Sequence, residues 1–302
     1  MRRFDLIVFA AASAALLAVA GCSGRDGTRD AGDSAHGLVR VELAYSHVAG
    51  SPASDVRFDA QARFVRYRSF DTASVPTILG FADFDSIAID SCKVADGTAA
   101  LDEALAADGI APGAEVALLD AGRLELRGPV DRASISPRHY PELVPFVSGV
   151  VYGGDDSEPV SLGLGQAYQV WSEGGAEVGG FSAGVIAPRA FPGLTVEPLR
   201  RGADLELRWN NEPSVAGPAE PLLIEVKWAS RAGTRAVRCR ARDDGSFVIP
   251  HDAFDGLPAA GALTSVTATA TRLARGPLSA PGAGRGELTV ALKDVAALQV
   301  AP

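Results

Sequence analysis

The sequence predicts a mainly β protein, with two antiparallel β-rich domains behind an unstructured N-terminal stretch. Three observations predict this. Two long segments of the first half alternate apolar and polar residues with a period of two, the mark of half-buried strands. The second half holds seven short strand candidates with turn residues between them, the pattern of an antiparallel sandwich. Only one segment carries the caps and spacing of a helix.

Residues 1–21 hold Arg2 and Arg3, an apolar run from Leu6 to Ala20, and small residues up to Gly21-Cys22. This is a basic n-region, an h-region too short to span a bilayer comfortably, and a cleavage point. The run Leu17-Ala18-Val19-Ala20-Gly21-Cys22 resembles the lipobox of bacterial lipoproteins. The resemblance implies cleavage before Cys22 and lipidation of its sulfur, which anchors a protein stably because several acyl chains act together. Asp5 opposes the usual charge bias of such segments, so an ordinary secretory signal and a short uncleaved anchor are the competing readings. Residues 22–37 are polar and glycine-rich and read as a flexible tether. Asp26, Asp30 and Asp33 there lack the turn glycine and terminal Glu of a calcium loop.

The first domain is expected over residues 38–192. Leu38–Tyr45 and Val56–Tyr67 alternate cleanly and read as strands, and Ser86–Asp90 is a short strand candidate. Thr98 caps a predicted helix over Ala99–Ala107, with Asp102 and Glu103 in its first turn and Gly109 just past its end. Val116–Leu119 and Leu124–Arg127 flank Asp120-Ala121-Gly122-Arg123, which predicts a hairpin. Five prolines punctuate 129–166, where Val147–Tyr152 is a strand candidate. Ala167–Ser172 and Phe181–Ala187 close the domain, and Pro188 and Pro192 stop regular structure.

The second domain, residues 193–302, carries strand candidates at 194–199, 205–209, 222–229, 235–241, 246–249, 263–273 and 287–292. Asp243-Asp244-Gly245 is a hairpin signal. The run Asp204–Pro213, with Trp209 before a proline, resembles the second strand of a fibronectin type III module, and Leu223–Trp228 is similar to the strand that follows. The resemblance implies an immunoglobulin- or fibronectin-like sandwich and no activity. The family's C-terminal core tyrosine is missing, since no Tyr follows Tyr168.

The net charge of −9 becomes −10 once Arg2, Arg3 and Asp5 are removed, and no Lys/Arg run with interleaved aromatics occurs. Nucleic acid is therefore not an expected partner. Cys22 is assigned to the lipid, leaving Cys92 and Cys239. An oxidising compartment would allow these two to pair. Alternation in Val237–Arg242 points Cys239 into a core with no second cysteine nearby in sequence, which favours two separate buried thiols over a bridge. Metal binding is the weakest of the three readings, as no His stands at ligand spacing.

Candidate chemistry is sparse. Gly180-Phe181-Ser182-Ala183-Gly184 matches G-x-S-x-G, but a nucleophile elbow needs a buried strand before the Ser and a helix after it. A glycine-rich turn precedes it and two prolines follow it, and His251 is the only downstream His, so a turn entering the strand Phe181–Ala187 is expected. His47, His139 and His251 lie in or beside turns and His36 lies in the tether, which reads as exposed or capping histidines. Asp83 and Asp85 alternate with aromatics as a glycosidase pair might, yet a solvated face fits better. Asp155, Asp156 and Glu158 read as an exposed acidic loop. Tyr140, Tyr152, Tyr168 and Trp171 are core residues by default, with stacking on sugars or peptides as the alternative.

The expectation is a lipid-anchored envelope protein acting as a non-catalytic binding or structural module, with no cofactor, the membrane as one partner and a protein or glycan as another. An envelope hydrolase and a periplasmic assembly accessory are the alternatives. The lipobox, the composition and the Gly-Gly-Ala-Glu-Val-Gly-Gly-Phe-Ser-Ala run resemble uncharacterised lipoproteins of high-GC, myxobacterial-type bacteria. Ser23 after Cys22 resembles the sorting choice for the outer membrane, with the face it serves left open.

Overall fold

The computed structural model describes residues 36–52, 55–70, 75, 79, 84–96, 115–144, 147–153, 160–211, 220–231 and 233–301. The lipobox, the aspartates of the tether, the expected helix over Ala99–Ala107, Asp83, and the acidic loop at 155–158 lie outside these residues. Among the described residues no helix is long and apolar enough to cross a membrane.

Nineteen strands carry the described fold: β1 His36–Val48, β2 Arg57–Arg68, β3 Ser91–Asp96, β4 Glu115–Leu118, β5 Leu124–Arg127, β6 Arg132–Ile135, β7 Arg138–Val144, β8 Val147–Gly153, β9 Ala167–Gly174, β10 Gly179–Ile186, β11 Thr195–Val196, β12 Leu199–Arg200, β13 Leu205–Arg208, β14 Leu222–Ser230, β15 Gly233–Ala241, β16 Ser246–Ile249, β17 Leu263–Ala280, β18 Gly284–Ala297 and β19 Val300–Ala301. The protein is mainly β, as expected. Nine strands form one mixed sheet in the order β15-β14-β17-β18-β1-β2-β4-β8-β7. Sheets β10-β9-β5-β6 and β11-β13-β16 face it, and β12 pairs with β19.

Period-two patterning explains the packing. Val39, Val41, Leu43 and Tyr45 of β1 point the same way as Ala60, Ala62 and Phe64 of β2 and Leu288, Val290 and Leu292 of β18. They meet Leu124 and Leu126 of β5, Tyr168 and Val170 of β9, and Phe181, Ala183 and Val185 of β10. That is one sandwich core. A second forms where Ile224, Val226 and Trp228 of β14 and Val237, Cys239 and Ala241 of β15 meet Leu205 and Leu207 of β13 and Ile249 of β16. Strands β11, β13 and β16 form one layer of it and β15, β14, β17 and β18 the other, a two-layer sandwich. Trp209 and Trp228 are both buried in it.

The large sheet is continuous across the expected division at Pro192, and strands that follow it line both cores. β17 and β18 run far longer than the segments 263–273 and 287–292 read from the sequence, and each serves both cores. Along β17, Val266, Ala268 and Ala270 line the second core, and Ala274, Leu278 and Ala280 the first. β1 then joins β18 in parallel over ten residue pairs, which stitches the start of the fold to its end.

Four local expectations need correction. Strand β1 begins at His36, inside the stretch read as tether, because Gly37 pairs opposite Arg66 and the His36 ring stacks on Tyr67. Ser86–Asp90 is not a strand. It makes one bridge, Ile89 to Arg240, and β3 begins at Ser91. β4 and β5 do not form a hairpin, since β4 pairs with β2 and β8 while β5 pairs with β6 and β9. The Asp120–Arg123 turn crosses between layers instead. Leu119 and Ala121 are fully buried, the Asp120 side chain accepts from the Gly122 amide at 2.7 Å, and Ala121 N–H donates to the Tyr152 hydroxyl at 2.8 Å. Likewise Asp243-Asp244-Gly245 links β15 in the large sheet to β16 in the facing one. Apolar residues at the turn and a buried Asp outweigh the local preference for a hairpin.

Cys92 and Cys239 are joined, 147 residues apart, with an S–S distance of 2.11 Å. The alternation correctly points Cys239 inward, at 0% exposure. What it misses is β3, which lays Cys92 over that position and makes a bridge of what read as two separate thiols. Asp90 N–H donates to Arg240 C=O at 2.7 Å and Arg242 pairs with Asp90 at 3.1 Å, holding the approach to β3 against β15.

Candidate functional site

The outer face of the four-stranded sheet is assembled by strict alternation. On β10, Phe181, Ala183 and Val185 are buried, so Gly180, Ser182, Gly184 and Ile186 face out. On β9, Tyr168, Val170 and Ser172 are buried, so Gln169, Trp171 and Glu173 face out. Arg123, Glu125 and Arg127 around β5, and Arg132 and Ser134 on β6, complete the face. Pairing sets two transverse rows: Ser134, Glu125, Trp171 and Ser182 in one, and Arg132, Arg127, Gln169 and Gly184 in the next.

These side chains hold one another in place. The Arg127 guanidinium lies 5.6 Å from the Trp171 ring centroid, a cation–π contact. Arg127 Nε donates to Glu125 at 2.8 Å and Arg132 reaches the same carboxylate at 3.3 Å. The Arg127 hydrogen bond, ahead of the two guanidinium charges, holds Glu125 below the usual carboxylate range. Gln169 Nε2 donates to the Ser182 hydroxyl at 2.8 Å, and Arg123 donates to Ser134 at 2.6 Å. Two grooves open on this face. One of about 450 Å³ includes Glu125, Arg132, Trp171 and Glu173. The other, of about 830 Å³, includes Arg127, Gln169, Gly184, Glu220 and Arg275. The first takes Trp171, Glu173 and Gly174 of β9 and the second Ala167, Tyr168 and Gln169, so they follow one another along that strand.

The G-x-S-x-G match therefore sits in the middle of an antiparallel strand. The expected strand is observed, and Ser182 is opposite Trp171 rather than at a strand-to-helix turn. His251 Nδ1–H donates to Asp204 at 3.1 Å, and Ser182 is bonded to Gln169, so the structure does not bring Ser182 and His251 into contact. Asp85 forks onto Arg275 at 3.1 and 3.2 Å. Its burial raises its pKa, but the Arg275 bond and charge leave it lowered, the opposite of what a general acid needs. Tyr152 and Tyr168 are core residues, at 1% exposure each, with hydroxyls bonded to backbone groups at Ala121 and at Ser161 and Gly163. Of the aromatics singled out from the sequence, Trp171 is half-buried on the open face. His139 is exposed on β7. Among the described residues no three His, Cys, Asp or Glu side chains gather as a metal site.

Sequence reasoning missed a buried polar seam between the two cores. Arg272 on β17 and Asp294 on β18 stand on the core-facing side of the sheet, where apolar residues flank them in both directions. Arg272 forks onto Asp243 at 2.8 Å from both Nε and Nη2, and donates to Phe191 C=O at 3.1 Å and to Asn210 C=O. Asp243 also accepts from Trp209 Nε1 at 2.7 Å. Asp294 accepts from the Gly193 and Leu194 amides and from His47 Nδ1 at 3.0 Å. The seam clamps residues 191–194, the segment that passes from one half to the other. His47 is thus no free turn histidine: its Nε2 bonds Ser51 C=O at 3.0 Å, so both ring nitrogens are engaged and neither is open to a substrate. The legible signal was a charged residue interrupting the apolar face of each long strand, Arg272 and Asp294.

No protein-family model matches this chain, and no curated protein matches it significantly.

Proposed function

We propose that this is a lipid-anchored envelope protein, tethered at Cys22, that works as a non-catalytic binding module through the outer face of its four-stranded sheet. One observation carries the reading. Trp171 is the tryptophan left outside both cores, and it sits on a polar, prearranged face, lining one groove with the second beginning at Gln169 on the same strand. An aromatic ring held open among hydrogen-bonding groups suits contact with a partner, since its apolar body gains by leaving water while its neighbours supply direction. The buried Arg, Asp and His groups, by contrast, are spent on holding residues 191–194.

Export and lipidation at Cys22 place that face outside the cytoplasm, and Ser23 favours the outer membrane. Labelled palmitate should enter the wild type and not Cys22→Ala. Purified protein should cosediment with envelope or extracellular material, and a Trp171→Ala/Arg132→Ala variant with unchanged circular dichroism should not. Equal cosedimentation of both would remove this face from the account.

A further inference from the structure

We propose that the face around Trp171 binds a neutral glycan chain laid along β9, with one sugar ring stacked against Trp171. The inference rests on the binding reading above and adds the chemical class of the ligand.

The argument starts from β10. Its outward residues beside Trp171 are Gly180, Ser182 and Gly184, with nothing larger until Ile186. Arg127 covers the indole from the β5 side. The β10 side is a low shelf one strand wide, about 5 Å across. A G-x-S-x-G run read with period two is thus a strip of missing side chains next to a ring. The apolar C–H face of a pyranose fits against such a ring, whose face is negative and whose edge neighbours are wet. Gln169, Ser182 and Glu173 border the strip, and Glu125 and Ser134 lie beyond Trp171 on β5 and β6, which together give the mixture of donors and acceptors that sugar hydroxyls require.

Charge chooses between glycan classes. Arg127 and Arg132 share Glu125, and Glu173 stands on the same face. The guanidiniums are therefore largely compensated in place, on a chain of net charge −9. An anionic chain would have to compete with Glu125 and meet Glu173, whereas a neutral polyol can hydrogen-bond to these groups without breaking their ion pairs. The two grooves follow one another along β9, one at Trp171 and Glu173 and the other at Gln169, and leave room for a chain rather than a single ring.

Fluorescence isolates the site, because Trp209 and Trp228 are 6% and 1% exposed, so acrylamide quenching of the purified protein reports Trp171. Soluble neutral glucans, mannans and galactans are titrated, with alginate as the acidic control. A neutral polysaccharide should shield Trp171 from acrylamide and retard the protein in an affinity gel. Trp171→Ala should weaken the retardation at least tenfold. Gly184→Leu should do the same while leaving the fold intact, since a Cβ there meets only Tyr168 C=O at 3.6 Å. If alginate alone shields Trp171, or if envelope protein does so, the binding face stands and the neutral-glycan assignment is overturned. If the protein cosediments with envelope material while Trp171 remains fully quenchable, both the ligand class and the face are overturned.

Discussion

At the scale of single residues, the molecule keeps its ionic groups for two purposes. Arg272 and Asp243 are 1% and 6% exposed at the side chain, and they are tolerable there because each of the three guanidinium nitrogens has an acceptor. Removing one member leaves the other charged and buried, which costs about 3–5 kcal/mol. Asp243→Ala should therefore lower the free energy of unfolding by that much, read as a lower urea midpoint, and it also strips Trp209 of its acceptor. His47 gives a pH signature. Burial pulls its pKa down, but Asp294 and the Ser51 carbonyl leave it raised above 6.5. A raised folded-state pKa stabilises fully below 6.5, and that contribution disappears as pH climbs through the folded value. The stability of the wild type relative to His47→Gln should fall from pH 6 to pH 8, read from paired urea melts. A flat difference would remove the charged His47–Asp294 pair from the account. The sequence signalled neither residue as a pair, since 247 positions separate them and the topology alone brings them together.

At the scale of elements, strands were legible and their connections were not. Alternation located β1, β2, β9, β10, β14 and β15 to within a few residues, because one face of each is buried and a slip of one residue would turn it outward. Two Asp/Gly turns were misread as hairpins for one reason. The turn chemistry is local, while the choice of partner strand depends on whether Leu119 and Ala121, or Asp243, have a core or a seam to enter. Gly122 makes this testable. Its φ is +72°, and a Cβ would fall 2.3 Å from Gly174 C=O, whereas Gly202 has φ +69° and open space around it. Gly202→Ala should cost about 1 kcal/mol from backbone strain alone, and Gly122→Ala distinctly more. Equal losses in thermal or urea melts would contradict the crossing described here. The bridge between β3 and β15 closes a loop of 147 residues, so reduction should cost about 2–5 kcal/mol, seen as a lower denaturant midpoint in dithiothreitol.

At the scale of the whole molecule, two sandwich cores share the strands β17 and β18. Composition and strand spacing point to two β-rich halves meeting near Pro192, but Ala274, Leu278, Leu288, Val290 and Leu292 of the second half line the first core, so no point in the chain separates the two. Composition and spacing could not reveal that residues 263–297 supply a wall to each, because Arg275-Gly276-Pro277 and Lys293-Asp294 read as the ends of short strands. Residues 36–192 expressed alone lack that wall and the parallel partner of β1, and should fail to give a cooperative melt, while the complete chain melts in one transition. The candidate site was legible only in part. Trp171 was singled out and so was the G-x-S-x-G run, but their meeting on neighbouring strands needed the register of β9 and β10.

The proposed function puts the contact face on the four-stranded sheet. Oxidative footprinting of the purified protein, with and without envelope or extracellular material, tests it most directly. Trp171 should be protected several-fold, with little change at Phe247 and Val94 in the groove beside β3 on the opposite half. Protection confined to that second groove, with Trp171 oxidised as fast as in the free protein, would contradict the account.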